Sequence, residues 1–155
     1  MFLSTFEKQL DAKRRIVVPQ EFRALAAGPF GGVFCFPSIE ADCLEGGGKA
    51  LFDRYAALID ELPFGDPLRT AIQTSVQGGL SELAFDTAGR ITLPETLCDM
   101  FGLTDWVAVV GLGDRFQIWA PTAHQPRLAE IRKLALESAD LLEAVGDEEH
   151  PVAAE

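Results

Sequence analysis

Little in this sequence offers a reactive or metal-binding handle. Its 155 residues include two histidines, three cysteines, one tyrosine, two tryptophans and two methionines. Cys35, Cys43 and Cys98 stand at irregular spacing without a C-x₂-C pair, and His124 and His150 fall in unrelated places. A zinc centre needs closely paired ligands of these types, so no metal is expected and the thiols are expected to stay reduced. The longest apolar run, Trp106 to Leu112, is far shorter than the ~20 residues of a membrane-spanning helix. The N-terminus meets Glu7 and Lys8 at once and lacks the basic n-region of a signal peptide. A cytoplasmic protein with no membrane partner is therefore expected. Apolar residues at 48% and charged residues at 24% give the balance of an ordinary folded domain.

Catalytic signatures are missing too. There is no G-x-S-x-G, P-loop, H-E-x-x-H or G-x-G-x-x-G in strand–turn–helix context. Gly46-Gly47-Gly48-Lys49 lacks the second half of a P-loop's glycine spacing. Asp11 and Asp86, the carboxylates that acid–base chemistry would use, each have an arginine four residues on, which fits a braced turn better than a proton shuttle. Neither an enzymatic activity nor a cofactor is expected.

Positive charge is scarce: 13 Lys and Arg face 24 Asp and Glu, for a net charge of −11. Taken whole, that argues against nucleic acid, which attracts an excess of cations. The distribution reverses the argument. Residues 134–155 hold seven acidic side chains and no Lys or Arg, so they alone supply seven of those negative charges. The first 30 residues hold Lys8, Lys13, Arg14, Arg15 and Arg23 against Glu7, Asp11 and Glu21. An acidic body with one locally basic spot does not exclude DNA.

What the chain does contain is a repeat. At an offset of 75 residues, Asp11-Ala-Lys-Arg-Arg15-Ile16-Val17-Val18-Pro19 lies over Asp86-Thr-Ala-Gly-Arg90-Ile91-Thr92-Leu93-Pro94, with Asp, Arg, Ile and Pro matching. The apolar register extends through Leu10/Phe85, Phe22/Leu97 and Leu25/Met100. Each copy reads as a hairpin: a strand ending at Leu10 or Phe85, a polar Asp-x-x-x-Arg tip, and a return strand Ile16–Val18 or Ile91–Leu93. Gly89 suits a positive φ in such a tip. Proline then opens a short helix, 19–27 or 94–101. Further strands are expected at 32–36, 106–111 and 115–119. Each copy is too small to bury a core alone, so the two should pack together.

Between the copies, Leu51, Phe52, Tyr55, Leu58, Ile59 and Leu62 repeat at helical spacing from about Lys49 to Leu62. Asp66-Pro67 reads as the N-cap and first residue of another helix, ended by Gly78-Gly79. One helix is expected over 123–145, followed by an acidic tail without fixed structure at 146–155. The division is thus a first repeat at 1–53, a helical segment at 54–77, a second repeat at 78–121, a C-terminal helix at 122–145 and the tail.

Lys13-Arg14-Arg15 places three cations on a β-ribbon, an element that fits the DNA major groove, where an arginine can bond guanine bidentately for roughly 1–3 kcal/mol of discrimination. A lone basic triplet is more often a solvated turn; two equivalent tips favour a reading head.

The doubled motif Asp11-x-Lys13-x-Arg15-Ile16-x-x-Pro19 and Asp86-x-x-Gly89-Arg90-Ile91-x-Leu93-Pro94 resembles the MraZ family, which carries tandem SpoVT/AbrB-type domains. Leu62-Pro63-Phe64-x-Asp66-Pro67 is similar to that family's interdomain segment, and Gly111-x-Gly113-x-Arg115-Phe116-x-Ile118-Trp119 to the end of its second domain. The resemblance implies an α+β fold, mainly β with flanking helices, in which the tandem repeats form a swapped-hairpin AbrB/MazE-like β-barrel. It also implies a ring-forming, nucleoid-associated homo-oligomer that binds double-stranded DNA at G-rich direct repeats and represses the division and cell-wall gene cluster. Lys13, Arg15 and Arg90 carry over as DNA-binding candidates, with Arg14 beside them; Asp11, Asp86 and Gly89 carry over as the residues that brace the hairpin motif.

Three departures stand out, one being Ala88 where the first copy has Lys13, which leaves Arg90 as the second tip's only cation. Arg14 occupies the place of a family glycine, at on the order of 1–2 kcal/mol if φ is positive, so a tip of different shape is expected there. Cys43–Gly47 replaces a stretch richer in apolar residues. Other readings of the same features are an antitoxin-like module that wraps a protein partner, and an oligomerisation module whose Asp/Arg pairs are subunit contacts.

Overall fold

The computed structural model describes residues 1–26 and 31–149, which divide into two compact units, one up to Pro121 and the other from Thr122 onward. The first copy runs β1 (Thr5–Gln9), β2 (Arg15–Val17), α1 (Gln20–Ala26), β3 (Gly32–Pro37) and β4 (Leu44–Gly47). Helices α2 (Lys49–Asp60) and α3 (Pro67–Val76) follow, and the second copy runs β5 (Ser81–Ala84), β6 (Arg90–Thr92), α4 (Glu95–Phe101), β7 (Trp106–Gly111) and β8 (Phe116–Trp119). Helices α5 (Pro121–Glu137) and α6 (Ala139–Glu149) end the described chain. This is an α+β fold with an antiparallel sheet.

The duplication is visible element by element. The pairs β2/β6 and α1/α4 coincide at the offset of 75; Gly32 of β3 corresponds to Trp106 of β7 at 74, and Leu44 of β4 to Phe116 of β8 at 72. The two copies exchange strands. The expected hairpin partners β1 and β2 do not pair with each other: β1 pairs with β7, β5 pairs with β3, and β2 pairs with β6. The sheet order is β1-β7-β8-β4-β3-β5, with β2-β6 as a separate two-stranded ribbon. Each copy alone would leave its first strand unpaired, which is why the pairing crosses between them. A pseudo-twofold axis passes where equivalent residues face each other, at Ile16↔Ile91 and at Glu45↔Gln117.

The alternation along the ribbon decides which face is core. Ile16 and Ile91 are buried at 1% exposure, flanked by buried Val18, Leu93 and Phe22. Beside them Phe22 contacts Phe2 edge-on with ring centroids 5.1 Å apart, and Phe116 lies 5.6 Å away. A second cluster joins Phe36, Leu51, Ile59 and Val76, and so ties α2 and α3 to the sheet. The N-cap reading at α3 is met: the Asp66 carboxylate accepts from the Leu68 N–H at 2.9 Å, with Pro67 as the first helical residue.

Strand β4 has no counterpart in the expected elements. Its glycines answer to partners far along the chain. A Cβ on residue 46 would stand 2.6 Å from the Phe116 ring, and one on residue 47 would stand 2.8 Å from Leu51. Between them and Leu44, Glu45 is fully buried beside Arg115, which also bonds Glu40 and Asp114. Cys35 and Cys43 are free and buried, and burial pushes both thiols up to about 12.

In the C-terminal unit, the single helix expected over 123–145 is two. The division falls at Ser138, whose N–H and hydroxyl both bond the Leu134 carbonyl, at 3.0 and 2.7 Å, and α6 begins at the next residue. α6 runs to Glu149, into the stretch expected to be tail, and residues 150–155 lie outside the described residues. No helix among the described residues is long and apolar enough to cross a membrane.

Candidate nucleic-acid interface

Both tips are three-residue loops of one design. At the first, the Arg14 N–H bonds the Asp11 carbonyl at 2.9 Å, Arg14 takes φ of 60°, and the Asp11 N–H closes the loop on the Arg15 carbonyl at 3.1 Å. This is a tight turn followed by a left-handed residue, a common three-residue connection. The Asp11 carboxylate holds it from inside: Oδ1 accepts from the N–H groups of Lys13 (2.9 Å) and Arg15 (2.8 Å), and Oδ2 accepts from Arg15 Nε at 2.7 Å.

The second tip repeats each of these bonds. The Gly89 N–H bonds the Asp86 carbonyl at 3.0 Å with φ of 75°. Asp86 Oδ1 accepts from Ala88 and Arg90, and its Oδ2 from Arg90 Nε at 2.7 Å. The different shape expected from Arg14 is not seen: Arg14 adopts the left-handed backbone that Gly89 adopts. Its side chain turns back, with Nε donating to the Leu93 carbonyl at 3.1 Å. Bonds from the partner copy fix both left-handed residues, since the Leu93 N–H bonds the Arg14 carbonyl and the Val18 N–H bonds the Gly89 carbonyl.

The ribbon sorts the cations. Arg15 and Val17 alternate with buried Ile16, and Arg90 and Thr92 with buried Ile91, so both arginines lie on the face away from the core. Arg15 pairs with Thr92 and Arg90 with Val17, which sets the two at opposite ends of one short ribbon. Their side chains are 29% and 32% exposed, enough to meet a ligand while Asp11 and Asp86 hold their orientation. Lys13 is exposed at the first tip, whereas Arg14 is committed to Leu93. Arg23, which no sequence motif singles out, lies against Gly89; that approach crosses between copies, and no local pattern announces it.

The backbone N–H of Arg15, then the Arg15 guanidinium and the N–H of Lys13, hold the Asp11 carboxyl below its ordinary value; Arg90 and Ala88 do the same for Asp86. A carboxyl lowered in the folded state lends its stabilisation above the unfolded value and loses it as pH falls through the lowered one. Both tips are therefore expected to keep their shape through mildly acidic pH. Carboxyl carbon titration by NMR should give both aspartates midpoints below that of a free aspartate; midpoints at the free value would show that these carboxylates do not hold the tips.

Comparison with known proteins bears on the whole chain. A family model described as "MraZ protein, putative antitoxin-like" matches residues 1–75 and 77–143. The chain is 78% identical over 135 residues to the Transcriptional regulator MraZ of Phenylobacterium zucineum, covering 87% of this chain and 84% of the relative. It is 72% identical over 144 residues to the protein of that name in Caulobacter vibrioides strain NA1000 / CB15N, covering 93% and 92%. It is 39% identical over 135 residues to the Transcriptional regulator MraZ of Hyphomonas neptunium, covering 84% and 81%.

Proposed function

The chain belongs to the MraZ family, and from that premise we propose that it is a transcriptional regulator, not an enzyme, which reads double-stranded DNA with the outer face of the β2–β6 ribbon. The observation that carries the reading is the pair of matching tips. Each presents one arginine, Arg15 or Arg90, fixed by an aspartate and facing away from the core. A guanidinium held at a set angle suits bidentate bonding to a guanine edge, and each chain offers two; because a pseudo-twofold relates the two, direct repeats would be matched by successive subunits rather than by the two tips of one chain. Lys13 adds a phosphate contact at the first tip. The strand exchange between copies supports a swapped-hairpin arrangement within one chain.

One chain offers few cations, and binding through so few phosphate contacts is weak. A homo-oligomeric ring that sets several ribbons on one surface would raise affinity through avidity. On this reading the protein acts at the nucleoid in the cytoplasm, on G-rich direct repeats upstream of its own genes, as a repressor of the division and cell-wall cluster. The test is fluorescence anisotropy over a salt series with that upstream DNA and with a scrambled duplex, alongside native mass. Steeply salt-dependent binding that prefers the upstream DNA is expected from an oligomer. Equal binding to both duplexes would remove the sequence-reading role, and no binding at low salt would leave a protein partner as the target.

A further inference from the structure

The second tip has only Arg90 as a cation of its own, yet a second guanidinium stands at it. A Cβ on residue 89 would meet the Arg23 Cζ at 2.5 Å and its Cδ at 2.9 Å, so the space beside Gly89 is filled by an arginine from α1 of the other copy. The pseudo-equivalent place, between residue 14 and residue 98, is filled the opposite way. There the tip supplies the arginine, bonded to the Leu93 carbonyl, and its charge bears on the Cys98 thiol of α4. At the repeat offset of 75, residue 14 corresponds to 89 and residue 23 to 98. The two tips thus differ in where this arginine comes from: Arg14 belongs to the first tip itself, whereas Arg23 reaches the second from the helix of the other copy.

The two guanidinium groups differ in what already holds them. Arg14 Nε has the Leu93 carbonyl, whereas Arg23 Nε is buried with no hydrogen-bond partner, and no carboxylate among the described residues pairs with Arg23. The nearby carboxylate, Asp86, is taken by Arg90 and two N–H groups. Arg23 lines an open hollow of about 470 Å³ together with Gln20, Phe85, Asp86, Thr87 and Gly89. The buried Nε cannot reach a ligand, but the terminal N–H groups of the guanidinium, one of them against Gly89, stand beside that hollow and suit an incoming phosphodiester.

We propose that Arg23 is a DNA-phosphate contact of the second tip, supplied by the first copy's helix in place of the loop cation that the second copy lacks. This rests on the DNA-binding reading above. Three proteins test it in the anisotropy salt series, with thermal unfolding in parallel: wild type, Arg23→Cys, and the double variant Arg23→Cys/Ala88→Lys, which gives the second tip the exposed loop cation that Lys13 is at the first. Arg23→Cys is expected to weaken binding to upstream and scrambled DNA by similar factors. It should also reduce the salt slope by about 0.9 per bound subunit, the share of a single neutralised phosphate. The double variant should recover slope and affinity. The proposal is overturned if Arg23→Cys binds with an unchanged slope, or if binding follows melting temperature alone and the double variant does not regain it. A wild type that fails to bind at all would overturn the underlying reading instead, and Arg23's role with it.

Discussion

Arg15→Ala is expected to lower affinity for the upstream DNA by about 10- to 100-fold, the size of one bidentate guanine interaction, while leaving the fold intact. The tip survives because its frame is backbone: Asp11 Oδ1 still accepts the N–H groups of residues 13 and 15, and the bond between Arg14 and the Asp11 carbonyl is untouched. What changes is the charge presented to DNA. Without Arg15, the Asp11 carboxylate loses its cation and stands near phosphate as a repulsive group. Arg15→Lys separates charge from geometry. It returns a cation but not the planar fork, so it should recover part of the non-specific affinity and little of the preference for upstream over scrambled DNA. Anisotropy with both duplexes, and circular dichroism to check folding, decide the matter. Equal losses on both duplexes would make Arg15 a phosphate contact, and no loss would remove it from the interface.

Arg115→Ala is expected to be the most destabilising single change at a polar side chain. Glu45 is fully buried in β4, and Arg115 is its cation, reaching Glu40 and Asp114 as well. Removing one member of a buried pair strands the other, typically at about 3–5 kcal/mol. Arg115 keeps 21% exposure, so the lower end applies, roughly a 6–12 °C fall in Tm for a chain of this size. The pH dependence identifies the cause. Burial pushes the Glu45 carboxyl above its ordinary value, and Arg115 is among the groups that pull it back. Without Arg115 the folded state takes up a proton more readily than the unfolded chain, so the variant's deficit should shrink as pH is lowered from neutral toward the unfolded carboxylate value. Glu45→Gln should cost less, because it removes the charge that needs a partner while Arg115 retains Glu40 and Asp114. A deficit independent of pH would assign the loss to packing.

The parts of the fold that rest on short-range chemistry are legible in the chain. Asp-x-x-x-Arg encodes its own turn, because the carboxylate reaches the N–H groups two and four residues on, and Asp66-Pro67 encodes its own helix start. Helix α2 announces itself by its apolar spacing. Features that depend on a distant partner are not legible. Gly46 and Gly47 look like loop residues until Phe116 and Leu51 are packed against them, which is why β4 is invisible in the sequence. A hairpin of β1 against β2 is the natural reading because they adjoin in sequence, whereas the ladder bonds go to β7 and β6. The stretch after Trp119 reads as one continuous helix because leucine spacing carries no mark of the division at Ser138. At the proposed interface, Arg15 and Arg90 can be picked from the motif. The withdrawal of Arg14 to Leu93 and the arrival of Arg23 at Gly89 depend on the other copy.

The axis through Glu45 and Gln117 bears on why two copies share one chain. Had the first copy assembled with an identical twin, residue 45 would face itself, and two carboxylates would be buried against each other with nothing to separate their charges. Joining the copies end to end lets one side of the axis carry an acid and the other its neutral amide. It also lets one tip give an arginine where the other receives one. Covalent linkage here does more than hold the halves at high local concentration: it frees them from having to be the same, and the first half paired only with itself would inherit a conflict that the joined chain does not contain.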